Sequence, residues 1–223
     1  RAMEVADLAV LTTDQVNSFT TRQIPVLGTD QIGAFATNRI AALTGDQVGA
    51  FTTTQVGAFS SASIRALTGS QIPSLRSVQL LALATSGLSA LVSVQLAALT
   101  PGQVAVLSTD QINSLSSSQL GGLSASLIGA MGTFQMQALS AANFRELSTG
   151  QIAGIRSQQI AVLTTDQIAA LRSIQAAYLS TGQLLALTTA QVGSLTTLSA
   201  AALRTGQVSV LTTAQVRALA VEN

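Results

Sequence analysis

Glutamine recurs along this chain at a spacing of eight, with Ser or Thr standing two and three places before it. An amide column beside hydroxyl columns suggests three kinds of chemistry. The amides could form a binding ladder or a cross-β spine. The Thr columns could form a flat lattice matching ice or a carbohydrate. Both could instead cap helices, a hydroxyl accepting from one backbone N–H and the amide oxygen from another. The ionisable groups offer less: ten Arg, nine Asp plus Glu, and no Lys, His, Cys or Trp. Without His there is no imidazole base. Without Cys there is no thiol nucleophile, disulfide or zinc thiolate site. Without Lys there is no Schiff base and no P-loop. Glu146 and Asp166 stand 20 residues apart with no other polar machinery near them. No catalytic, cofactor-binding or metal-binding residue is therefore assigned, and the chain is expected not to be an enzyme.

Composition removes further classes. Net charge is +1 and the Arg residues are scattered singly, so no basic stripe is available to displace counterions from a nucleic acid. Mean hydropathy is +0.49, yet polar residues interrupt every apolar stretch, and runs as short as Leu80 to Ala84 cannot span a bilayer. Only 9% of residues are charged, against about 25% in an average domain. No signal peptide is visible. The chain opens on Arg1, which reads as a processed product or a fragment.

The elements that must position these columns follow from the repeat. From Met3 to Ala218 the sequence divides into 27 consecutive octads without a phase break: LTTDQVNS, FTTRQIPV, LGTDQIGA and so on to LTTAQVRA. Residues 3–218 read as one continuous array, and 1–2 and 219–223 as its continuation or as fragment ends. The consensus is Leu-Thr-Thr-x-Gln-Ile-x-Ala. Position 1 is always a large apolar residue, and position 6 is one in 25 octads, with Ala176 and Ala200 as exceptions. Position 5 is Gln in 20. Positions 1, 6 and 8 read as buried, and 4 and 7 as solvent-facing.

One long helix fails, because eight residues at ~100° each leave an ~80° offset per octad and no constant face. A coiled coil fails for the same reason. The chain must turn once per octad. Position 2 is Ser or Thr in 17 octads, mostly with Gln at position 5, which makes the capping box, and positions 1 and 6 make the hydrophobic staple. Where position 2 lacks a hydroxyl, position 3 offers a cap: Thr29, Thr37, Ser77, Thr85, Ser93, Thr133, Ser157, Ser173 and Thr205. Asp14, Asp30, Asp46, Asp110 and Asp166 fall in the first turn, where the dipole favours an anion. Pro25 and Pro73 deny a continuing helix its amide. Gly33, Gly49, Gly57, Gly121, Gly129 and Gly193 suit a helix exit.

Helices of about five to seven residues are unstable alone and must stack. The expected fold is all-α: a solenoid of very short capped helices, one per octad, with two or three octads per coil. Phe19, Phe35 and Phe51 alternate with Leu27 and Leu43, and Arg76, Arg156, Arg172 and Arg204 fall only in even octads; both favour two. Thirteen such coils, ~8–10 Å apart, would make a rod of roughly 100–130 Å. The alternative is a β-solenoid with Thr and Gln ladders, which leaves the capping box unexplained.

Two octads are irregular. In LRSIQAAY, Ala176 takes a core position and the Tyr178 ring is expected to fill the space it leaves. In LSAANFRE, Phe144 enters the core and Glu146 a position normally small. Repeat drift explains both more simply than a partner site. Scattered Arg and Asp read as solvated surface.

Runs such as LTTDQVNS from Leu11, LTTDQIAA from Leu163 and LTTAQVRA from Leu211 resemble the LTTxQIxAL-type octapeptide repeats of very large surface or secreted, adhesin-like proteins of Gram-negative bacteria. The resemblance covers nearly the whole chain, without the GGxGxD calcium repeats that often accompany such export. It implies a location at the cell surface or outside the cell. Together these readings predict a structural repeat protein, an extended rod, stalk or self-assembling filament. Self-association or end-to-end stacking is expected, with no nucleic acid, no membrane insertion and no cofactor. The alternative is a binding or adhesion module whose regular Thr/Gln face takes a glycan, a peptide or ice.

Overall fold

A computed structural model describes residues 4–221. Arg1 to Met3, where the first octad begins, and Glu222 and Asn223 lie outside the described residues. The chain divides into two compact units, Arg1–Leu115 and Ser116–Asn223. Each is an all-α solenoid, and no strand occurs among the described residues.

Each octad builds one short helix. Gly45–Ala50 is typical. Thr44 precedes it in extended conformation (φ −72°, ψ 161°), and Phe51 ends it by returning to extended backbone (φ −55°, ψ 144°). The α-helices are four to six residues long, except Thr213–Val221. Two octads make 3₁₀ helices instead, Ile24–Val26 and Ile72–Ser74, with Pro25 and Pro73 at their centres. Proline has no N–H for an α-helical bond, so the turn tightens: Val26 and Leu27 donate to the carbonyls of Gln23 and Ile24, both at 3.2 Å.

The helices stack at a fixed interval. In the first unit Thr13–Asn17, Thr37–Ala42, Ser61–Ala66, Thr85–Ala90 and Thr109–Asn113 pack in succession, each starting 24 residues after the last. In the second, Ala125–Ala130, Thr149–Gly154, Ser173–Ala177 and Thr197–Ala201 do the same. One coil is therefore three octads, not the two that the Phe and Arg spacings favour. Position-1 side chains of successive octads share one core: Phe51 and Phe59 meet edge to face at 5.2 Å. Alternation along the sequence thus says nothing about which helices stack.

Positions 1 and 6 form the core, as expected. Position 8 does not; it is mostly half-buried, at the contact between coils. Its place inside is taken by Gln at position 5, which is buried from Gln47 onward in every octad that has one. The glycines also act differently from the expectation. No glycine among the described residues has positive φ, because the helix exits through extended position 1. Some glycines serve close packing instead. A Cβ on Gly154 would lie 2.6 Å from the Ala125 carbonyl oxygen, and one on Gly129 2.9 Å from that of Gly154. Gly154→Ala is expected to destabilise the second unit by about 1–3 kcal/mol in urea unfolding. Gly121, with open space where its Cβ would be, is the control. Gly121→Ala should be neutral or stabilise by ~0.5–1 kcal/mol.

Candidate functional site

The most regular polar feature is the glutamine column, and each glutamine has two tasks. The Gln47 amide oxygen accepts from the Thr44 backbone N–H at 2.8 Å, while the Thr44 hydroxyl accepts from the Gln47 N–H at 3.2 Å. This is the expected capping box. Its Nε2 group donates to carbonyls in the preceding coil: Val16 at 3.2 Å, Asn17 at 3.0 Å and Phe19 at 2.7 Å. Those belong to the end of the helix Thr13–Asn17 and the residue that leaves its octad. The last carbonyls of a helix have no partner within it. One side chain thus caps the start of its own helix and the end of an earlier one. Gln103 in the first unit and Gln183 in the second repeat the pattern on carbonyls 28 and 31 residues back. Among the described residues no buried side-chain nitrogen or oxygen lacks a partner.

The amide fixes the cap at position 2 whatever residue stands there. Gly28, Arg76 and Val92 have no hydroxyl, yet each donates its N–H to the following Gln at 2.6–2.8 Å and remains the cap. The position-3 hydroxyls expected to substitute, Thr29, Ser77 and Ser93 among them, sit one residue inside the helix. The core phase of positions 1 and 6 prevents the helix from starting later.

Several arginines are tied between coils rather than simply solvated. Arg39 replaces Gln at position 5, and its Nε donates to the Leu11 carbonyl, also 28 residues back. The guanidinium groups of Arg76, Arg156 and Arg172 reach the carbonyls of Phe51, Met131 and Leu147 at 2.8, 3.1 and 3.3 Å. Arg204 lies over the Tyr178 ring, 5.0 Å from its centroid. Tyr178 is 48% exposed, so its ring does not fill the core beside Ala176 as expected; it covers the outside of the coil. Phe144 is fully buried, and Glu146 and Asp166 are exposed.

This arrangement changes what the surface can do. Buried amides cannot meet a glycan or ice, so the regular outer face is reduced to hydroxyls and variable residues. No group of three or more His, Cys, Asp and Glu that could hold a metal occurs among the described residues. No helix there is long and apolar enough to cross a membrane. Sequence reasoning missed the Nε2 bonds, although a signal was present. A capping box accepts Glu as readily as Gln, yet position 5 contains no Glu at all. Only Gln also brings donors.

No curated protein matches the sequence. The family model for the ALTTAQ repeat matches residues 1–37, 40–77, 88–125 and 136–173. These segments make up most of the chain and contain the capping Thr and the two-sided Gln described above, and the chain belongs to the ALTTAQ repeat family.

Proposed function

We propose that this chain is a structural spacer: an extended rod, stalk or filament segment, at the cell surface or outside the cell, that associates through the faces of its coils. It performs no catalysis. The observation that carries this reading is the stacking itself: helices pack on those that start 24 residues earlier, and glutamine Nε2 groups bond each coil to carbonyls of the one before it. Such a coil presents a face that takes another coil. Val208 and Val216, position-6 side chains that are 47% exposed, mark such a face among the described residues. The surface location rests on the resemblance of the octads to adhesin-like repeats.

Sedimentation velocity over a range of concentrations tests the association. The 223-residue chain should form concentration-dependent oligomers. Val208→Asp combined with Val216→Asp should shift it toward monomer while leaving the helical circular dichroism unchanged. A wild-type chain that stays strictly monomeric and compact would contradict the proposal.

A further inference from the structure

A cleft of about 290 Å³ opens in the second unit beside an octad that departs from the repeat at positions 5 and 6. In LTTLSAAA, Ser199 occupies position 5. Its hydroxyl donates to the Leu171 carbonyl at 2.7 Å, the partner 28 residues back that Gln Nε2 takes elsewhere, and accepts from the Thr196 hydroxyl at 3.1 Å. The bond to the earlier coil is therefore kept. The rest of the glutamine side chain is missing, and the Thr196 and Leu171 walls along which it would lie now border open space.

The lining of this space has one sign of charge. Arg145 and Arg172 both border it, with the hydroxyl residues Ser173, Thr196 and Ser199 and the apolar Leu198, and no carboxylate does. Arg172 is held in place by its bond to the Leu147 carbonyl, which uses one of its five N–H donors. Arg145 and Arg172 bring two positive charges to the border of one small cleft, and an oxyanion there would gain charge-assisted bonds. The volume is at the small end of ligand pockets, ~300–1,000 Å³. Leu198, 75% exposed, offers an apolar contact at the rim.

We propose that the cleft bordered by Arg145, Arg172 and Ser199 binds a small organic oxyanion, a phosphate monoester or carboxylate on a short apolar group. This makes one coil of an otherwise structural array a ligand site, and it does not depend on self-association.

Titration of the ¹⁵N-labelled full chain with phenyl phosphate and with benzoate, at constant ionic strength, tests it. At least one probe should bind saturably with stoichiometry one and shift the amides of Ser173, Thr196 and Ser199. Ser199→Gln restores the repeat's own side chain, fills the cleft and takes the Leu171 carbonyl, so it should fold at least as well as wild type. It should weaken binding tenfold or more. Arg145→Gln, at an exposed position, should weaken it about fivefold. If neither probe gives a saturable shift, or if Ser199→Gln binds as wild type does, the proposal is wrong. Equal binding by Ser199→Gln would show that the arginines attract anions from the surface without a cleft.

Discussion

Replacing Gln79 with Glu is expected to cost about 3–5 kcal/mol at neutral pH, although the two side chains have the same shape. Gln79 is fully buried. Its oxygen accepts from the Arg76 N–H at 2.6 Å, and its Nε2 donates to the carbonyls of Val48 at 3.1 Å and Phe51 at 2.7 Å. Glutamate keeps the acceptor but turns a donor into an oxygen that faces two carbonyl oxygens. The capping bond survives and the bonds between coils do not, so the substitution separates the two tasks. The effect depends on pH. Burial and the facing carbonyls raise the new carboxyl's pKa above its ordinary ~4.3. The folded form then holds the proton more tightly than the unfolded form. Stability is highest below pH ~4, where a protonated carboxyl donates to one carbonyl, and is lost as pH rises through the folded-state pKa. Urea unfolding of Gln79→Glu at pH 4 and pH 7, beside wild type, measures both. If Gln79→Glu is as stable as wild type at pH 7, the amide group is not bonding the coils. Gln15→Glu is the control: Gln15 is exposed and keeps its capping bond to Thr12, so little change is expected.

Phe144→Ala should destabilise the second unit by about 3–5 kcal/mol. Phe144 is among the largest fully buried side chains and stands where the repeat places Ile, Val or Leu. Truncation leaves a cavity beside coils that Gln175 ties through the Arg145 and Leu147 carbonyls, so they cannot close over it. Phe144→Leu, closer to the family residue, should cost under ~1.5 kcal/mol. Local hydrogen exchange is the suitable measure, since repeat arrays lose stability region by region. The loss should be greatest at Ala141–Arg145 and at the helices it packs against, Ser117–Gly121 and Thr165–Ala169. Exchange unchanged by Phe144→Ala would mean that this octad does not contribute to the core.

Local information recurs in every octad of this sequence, and long-range information does not. Helix starts, the staple between positions 1 and 6, and the first-turn Asp residues all act within one octad, and all were legible. Pro25 and Pro73 were legible as places where a helix cannot continue, but not as 3₁₀ turns. The number of octads per coil was not, because near-identical octads give no label for which ones meet. Phe19, Phe35 and Phe51 alternate in sequence but face the same core. The glutamine's second bond links residues 28 to 31 apart and can be inferred only from the absence of Glu at position 5. Hydroxyls at Ser77 or Ser93 have the chemistry of a cap, and the glycines the conformational freedom of an exit. Whether they use it is decided by the phase of the core. The Ser199 cleft escaped attention because a shortened polar residue in a degenerate repeat resembles drift until its neighbours, Arg145 and Arg172, are placed beside it.

The three-octad coil is the centre of this account, and disulfide cross-linking tests it most directly. The native chain has no cysteine, so an engineered pair is read without background. The Ser89 hydroxyl lies 3.1 Å from the Ser114 carbonyl oxygen, across one coil interval. Ser89→Cys with Ser114→Cys should cross-link rapidly under mild oxidation and leave the helical content intact. Ser89→Cys with Val106→Cys, the same register one octad closer, should not. Rapid cross-linking of the second pair in place of the first would establish a two-octad coil and contradict the architecture described above.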